Sequence, residues 1–105
     1  LFFSGFEADT AADGLAAVRL LESGSYALLV TDIEMPNMNG FELLGAVRRK
    51  KGLEKLPVIM LSTLDTAEVK DRCRRLGASA YVVKPFTREK MHEALAACGL
   101  AKAEP

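Results

Sequence analysis

The chain has 105 residues, of which 50% are hydrophobic and 27% are charged, as expected for one globular domain with a packed core. Its 14 basic and 14 acidic residues give a formal net charge of +0, which argues against direct binding to nucleic acid. No apolar run approaches the roughly 20 residues that cross a bilayer. The two cysteines, Cys73 and Cys98, are far apart, which predicts reduced thiols in a cytoplasmic protein.

The first half of the chain predicts alternating helices and strands. Residues 1–5 are typical of the end of a helix, and residues 6–12 alternate weakly, which predicts a short strand. A helix is expected over residues 15–23, and a strand begins near Tyr26. The next helix, over residues 41–51, ends in four cations that complement the helix dipole, and a solvated face is favoured over a binding patch there.

The second half continues the alternation. Residues 57–61 predict a strand, and Asp65 and Glu68 predict a capping box for a helix that reaches Leu76. A last strand over 80–83 precedes a helix capped by Thr87, with a frayed tail after it. Because strands and helices alternate throughout, we expect a parallel sheet with right-handed crossovers and helices on both faces.

Asp32 ends a short apolar run and is followed by the turn residues Pro36 and Gly40. Such a run predicts a strand that is buried on both faces of a parallel sheet. Open α/β sheets place ligands and chemistry at the carboxyl ends of their strands. Asp32 is therefore a candidate reactive carboxylate, and a helix-capping or loop aspartate is the alternative.

Two further polar residues follow predicted strands: Ser62, and Lys84 with Pro85 after it. Together with Asp32 and the Met-Pro-Asn-Met-Asn-Gly loop at 35–40, they closely resemble the motifs of bacterial response-regulator receiver domains. These domains serve two-component signalling, including chemotaxis. The resemblance covers nearly the whole chain as a single domain. It implies a flavodoxin-like, doubly wound α/β fold with strand order 2-1-3-4-5.

The resemblance implies that Asp32 accepts a phosphoryl group from a histidine kinase or phosphotransfer protein, forming a mixed anhydride. Lys84 would pair with the carboxylate and then with a phosphoryl oxygen, to which Ser62 would donate its hydroxyl. The peptide bond before Pro85 is a candidate for cis geometry. From the residues alone, a solvated Lys84 is favoured, a turn-capping Ser62 is nearly as well supported, and Thr63 is an alternative hydroxyl. Self-dephosphorylation is the most that such a chain would catalyse.

Other residues take roles from the resemblance. Tyr81 matches an aromatic switch, with an ordinary strand aromatic as the alternative. Glu34 and Leu64 would flank the phosphoryl site and tune its lifetime. An output domain or downstream protein would contact the 65–98 region. His92 lacks the surroundings of a phosphotransfer histidine, so a surface or boundary residue is expected there.

The resemblance also implies Mg²⁺, bound by Asp32 and the backbone carbonyl of Glu34 together with two acids on a first strand. By this alignment, that strand and most of the first helix lie upstream of Leu1, so those acidic ligands are absent. Mg²⁺ would then have fewer oxygen ligands than it takes. The vacant strand position would favour strand exchange or dimerisation. A truncated receiver is preferred to a degenerate one.

Two other functions remain open on the sequence. One is a pseudo-receiver that binds partners without phosphorylation, which the missing acid pair would favour if the native protein also lacks it. The other is a phosphohydrolase of the haloacid-dehalogenase type. That class uses a second Asp two residues after the nucleophile, where this chain has Glu34.

Overall fold

The computed structural model describes residues 11–23, 26–34 and 38–99. The helix end predicted at 1–5 and the frayed C-terminal tail lie outside the described residues. Of the strand predicted at 6–12, only the last two residues are described, and they are not in a strand. No helix in the described ranges is long and apolar enough to span a membrane.

Helices and strands alternate through this part of the chain, as predicted. They are α1 (Gly14–Ser23), β1 (Leu29–Asp32), α2 (Gly40–Arg49), β2 (Val58–Ser62), α3 (Ala67–Arg75), β3 (Ala80–Val83) and α4 (Arg88–Ala97). Some ends differ from the prediction by two or three residues. β1 begins at Leu29 rather than near Tyr26, and α2 ends at Arg49 rather than at Lys51.

The described strands form one parallel sheet in the order β1-β2-β3. Asp32 is opposite Leu61, and Leu61 is opposite Val82, so the three strands end at the same edge. All five residues of the central strand β2 are buried. This burial on both faces is what an uninterrupted apolar run predicts in a parallel sheet.

The two faces of the sheet carry separate hydrophobic clusters. One cluster joins β2 to α1, α2 and α3, and the other joins β2 and β3 to α4. In α4, which Thr87 caps as predicted, Met91 and Leu95 are buried in the second cluster. The molecule is therefore a three-layer α/β structure, and the predicted fold class is confirmed.

The predicted capping box of Asp65 and Glu68 is wrong. The N-cap of α3 is Thr66, whose hydroxyl accepts a hydrogen bond from the Val69 N–H at 3.2 Å. Because the cap lies one residue later than predicted, the third helical position is an apolar residue and cannot complete a box. Asp65 instead pairs with Lys70 at 2.6 Å, and this contact raises the pKa of the lysine.

Arg48, which the sequence groups with the solvated cations of α2, is half-buried and joins three segments. Its guanidinium donates hydrogen bonds to the carbonyls of Gly77 at 2.7 and 3.0 Å, Leu56 at 2.6 Å and Leu53 at 3.4 Å. Gly77 has a φ of +97°, which favours glycine, and lies close enough that a Cβ would be 3.0 Å from Arg48 Nε. The carboxyl end of α2 is thereby tied to the following loop and to the turn after α3.

Replacing Arg48 with Ala should lower the free energy of unfolding by about 2–3 kcal/mol, because the backbone carbonyls lose a charged donor. Arg49→Ala is the matched control. Its guanidinium is exposed, and we expect a change of less than about 0.5 kcal/mol. Urea denaturation followed by circular dichroism measures both. Equal midpoints for the two variants would show that Arg48 does not stabilise this junction.

Candidate phosphoacceptor site

The three residues predicted from the strand ends lie at one edge of the sheet. Asp32 is the last residue of β1, Ser62 is the last residue of β2, and Lys84 directly follows β3. Lys84 Nζ lies 2.6 Å from Asp32 Oδ1, with 36% and 44% of the two side chains exposed. The peptide bond between Lys84 and Pro85 is cis. The edge thus presents a carboxylate, accessible to solvent, with an ammonium group beside it.

The start of α2 holds the backbone of Asp32. The Gly40 N–H donates to the carbonyl of Ile33 at 2.7 Å, and a Cβ on Gly40 would lie 2.4 Å from the Asp32 carbonyl oxygen. Asn39 and Glu42 form a capping box, with bonds of 2.8 and 2.9 Å between each side chain and the other residue's N–H. Only a glycine allows the capped helix to begin this close to Asp32.

Ser62 is fully buried, and its hydroxyl contacts two neighbours. Its Oγ accepts a hydrogen bond from the Leu64 N–H at 3.0 Å and donates to Glu34 Oε2 at 3.5 Å. The distance to Glu34 is at the long end of the hydrogen-bond range. The adjacent Thr63 is exposed. In this structure the Ser62 hydroxyl is therefore directed toward Glu34, and Ser62 lies at the same edge of the sheet as the Asp32–Lys84 pair.

Tyr81 is linked to Ser62 through the backbone of Leu64. The Tyr81 hydroxyl donates a hydrogen bond to the Leu64 carbonyl, and the N–H of the same residue bonds to Ser62. The side chain of Leu64 is 47% exposed. The resemblance implies that Leu64 flanks the phosphoryl site, and the contacts that the structure shows for it are made by its backbone. Backbone groups carry no signal in the sequence, so this link could not be predicted.

The described residues do not by themselves fit a magnesium ion. Asp32 supplies one carboxylate, whose Oδ1 is bonded to Lys84, and Glu34 supplies a backbone carbonyl. Mg²⁺ requires octahedral coordination by oxygen and usually binds one or two carboxylates, phosphate and water. Across the described ranges there is no group of three His, Cys, Asp or Glu side chains that could hold a metal ion.

The remaining chemically reactive side chains lie away from this edge. His92 is half-buried on α4, in agreement with the boundary position expected for it. Cys73 is buried, and Cys98 is half-buried just after α4. Burial raises the pKa of both thiols, so they are protonated at neutral pH and are poor nucleophiles. Neither cysteine is in a disulfide.

A solvent-accessible carboxylate beside a lysine, at the carboxyl edge of a parallel α/β sheet, is the arrangement that the resemblance to receiver domains implies. The model of the response regulator receiver domain family matches residues 2–96. The chain belongs to this family.

Curated relatives include chemotaxis proteins. The chain is 40% identical over 92 residues to the chemotaxis protein CheY of Pseudomonas aeruginosa, covering 88% of this chain and 72% of that protein. It is 38% identical over 83 residues to CheY-3 of Vibrio cholerae, covering 79% of this chain and 64% of that protein. The chain thus spans about two thirds to three quarters of the length of these relatives.

Solved structures show the same fold. CheY4 of Vibrio cholerae matches with a TM-score of 0.82 and 34% identity, over 89% of this chain and 78% of the other. The receiver domain of a sensor histidine kinase from Pseudomonas aeruginosa matches with a TM-score of 0.74 and 26% identity, over 85% and 74% of the two chains. That structure has a magnesium ion coordinated in its active-site cleft.

Gly40→Ala should destabilise the chain by about 1–3 kcal/mol, because the new Cβ would overlap the backbone of Asp32 and Ile33. Gly45→Ala is the control in the same helix. Its Cβ would meet only the end of the flexible Arg49 side chain, at 3.1 Å. We expect that variant to be unchanged or up to about 1 kcal/mol more stable. Chemical denaturation measures both, and a Gly40→Ala variant as stable as Gly45→Ala would refute the close approach.

Proposed function

We propose that Asp32 accepts a phosphoryl group from the phosphohistidine of a histidine kinase or phosphotransfer protein, and that this changes a partner-binding face. The observation that carries the proposal is the 2.6 Å contact between Lys84 Nζ and Asp32 Oδ1 at an accessible strand end. Two-component signalling is the process that the receiver family serves, which supports the same assignment.

The transfer needs one nucleophile and a means of offsetting negative charge. An oxygen of the Asp32 carboxylate forms a bond to phosphorus while the phosphorus–nitrogen bond of the phosphohistidine breaks. The imidazole leaves with the electron pair of that bond, and the product on Asp32 is an acyl phosphate. The ammonium of Lys84 offsets the charge that accumulates on the phosphoryl oxygens.

Magnesium would add a second source of positive charge at the same place. Receiver domains bind Mg²⁺ in the active site, and one structural neighbour contains it there. In this chain, Asp32 and the carbonyl of Glu34 would contribute ligands. The described residues supply only these two, so the ion would need further oxygens from other acids, phosphate or water.

The signal would leave the site through the Leu64 peptide. The Ser62 hydroxyl would form a stronger hydrogen bond with a phosphoryl oxygen on Asp32 than the one it forms with Glu34 at 3.5 Å. It would therefore turn toward the phosphoryl group. The Leu64 N–H is bonded to that hydroxyl and would shift with it. Tyr81, bonded to the carbonyl of the same residue, would then lose its acceptor. This moves the face formed by α3, β3 and α4, where an output partner would bind.

Asp32→Asn should abolish phosphorylation by acetyl phosphate in the presence of Mg²⁺, measured as incorporated phosphoryl groups by intact-mass spectrometry. Asp65→Asn is the matched control, because Asp65 is also exposed and is also paired with a lysine at 2.6 Å. The label on the wild-type chain should be released by hydroxylamine, as expected for an acyl phosphate. Labelling of the Asp32→Asn variant at the wild-type level would disprove the assignment of the phosphoacceptor.

Lys84→Ala should slow the labelling by about 10²-fold, because the transition state loses a preorganised positive charge. Lys70→Ala, which removes the lysine of the control pair, should label at the wild-type rate. Initial rates at a fixed concentration of acetyl phosphate give both values. Equal rates for the two variants would mean that Lys84 does not assist the transfer.

Tyr81→Phe removes only the hydroxyl that donates to Leu64 and should leave the labelling rate unchanged. The coupling between phosphorylation of Asp32 and the position of α3 should be lost. In the wild-type chain, phosphorylation is expected to shift the amide resonances of Leu64 and of the first turn of α3, and in the variant the shift at α3 should fall by at least about half. An unchanged pattern of shifts would show that the Tyr81 hydroxyl takes no part in transmission.

A further inference from the structure

Six exposed cations lie on the side of the molecule opposite to Asp32. The helices run against the strands, so the carboxyl ends of α2 and α3 lie at the edge where the strands begin. We call these cations the basic pole: Arg49, Lys50, Lys51, Lys55, Arg74 and Arg75.

The three segments that carry the basic pole are held together. The hydrogen bonds of Arg48 to Leu53 and Leu56 join α2 to the loop containing Lys55. Its two bonds to Gly77 join α2 to the turn that follows Arg75. The backbone segments that carry the cations are therefore held next to one another by Arg48.

Some of this charge is neutralised within the chain. Lys50 pairs with Glu22 of α1. Asp71 is shared by Arg74 and by Arg75, whose Nε lies 2.9 Å from the carboxylate. Because two guanidinium groups share one carboxylate, this part of the pole keeps an excess of positive charge.

The other three cations have no carboxylate within ion-pair distance in the described part of the chain. They are Arg49, Lys51 and Lys55, all exposed. The nearby Glu54 accepts a hydrogen bond from the Gly52 N–H at 2.8 Å. Among the described residues, six cations and three carboxylates thus lie at this end, although the whole chain has a formal net charge of +0.

We propose that the basic pole binds an acidic segment of a partner protein, a short run of Asp and Glu side chains. Guanidinium groups match carboxylates in a bidentate geometry, and three arginines belong to the pole. A nucleic acid is disfavoured, because a long polyanion experiences the field of the whole chain, which has no net positive charge. An anionic membrane is disfavoured, because the exposed large hydrophobic residues of the described chain, Leu15 and Leu64, lie at the other edge.

This surface is separate from the phosphoacceptor site, so the proposal does not depend on phosphorylation.

The probe is a fluorescein-labelled hexaglutamate peptide, titrated into the ¹⁵N-labelled chain at low ionic strength. We expect amide shifts confined to residues 48–56 and 74–78, and weaker binding as salt is added. Fluorescence anisotropy gives the dissociation constant.

The double variant Lys51→Gln, Lys55→Gln should weaken peptide binding by about three- to tenfold, the effect of losing two exposed charge pairs. The matched control is Arg88→Gln, Lys90→Gln, which removes two exposed cations from the first turn of α4 at the opposite edge. It should change binding by less than about twofold. All four side chains are exposed, so neither variant should unfold the chain.

Three results would overturn the proposal. One is the absence of peptide binding at millimolar concentration, and another is equal weakening by both double variants. The third is tighter binding of the pole to an oligonucleotide, or to vesicles containing phosphatidylserine, than to the peptide. The measurements with the oligonucleotide and with the vesicles use the same chain and the same salt concentration as the measurement with the peptide. The three classes of partner are therefore compared directly.

Discussion

The contact between Asp32 and Lys84 depends on the register of three parallel strands. β1 and β3 lie on either side of β2, so their axes are about 10 Å apart. Alternate residues of a strand share a face. Asp32 follows Val30 in this alternation and Lys84 follows Val82, and both valines belong to the α4 cluster. The side chain of Lys84 can therefore pass over the end of β2 to the carboxylate. A shift of one residue in either strand pairing would place one partner on the wrong face.

The hydrophobic clusters and the start of α2 maintain this register. β2 is buried along its whole length, so it cannot slide without exposing apolar side chains on both faces. Gly40 lets α2 begin against the backbone of Asp32, and the capping box of Asn39 and Glu42 fixes where the helix starts. The edge of the sheet that carries Asp32 is thus held in place by the packing of β2 and by the start of α2. The carboxylate itself stays accessible.

The sequence predicts the fold class and most of the site because both depend on local patterns. Apolar runs that end in turn residues locate β1 and β2, and the polar residue at each strand end follows from the parallel arrangement. The pattern by itself identifies Asp32 as a candidate. The place of Lys84 beside it comes from the resemblance to receiver domains, because from the residues alone a solvated lysine is favoured.

Features that depend on tertiary contacts could not be predicted in this way. Arg48 has the sequence context of a solvated cation at a helix end, and only the fold brings the carbonyls of Leu56 and Gly77 to it. The sequence pattern misplaces the N-cap of α3 by one residue because Asp65 and Thr66 are both good N-cap residues. The Leu64 peptide joins Ser62 to Tyr81 through backbone atoms, which every residue has.

The distance from Lys84 Nζ to the Asp32 carboxylate in a crystal structure of the chain is the most direct test of this account. The contact across the sheet edge predicts a separation within about 4 Å, the limit for an ion pair. A separation beyond about 8 Å, at which solvent and salt screen the two charges from each other, would contradict it. In that case Lys84 could not offset charge on a phosphorylated Asp32, and the proposed chemistry would lose its basis.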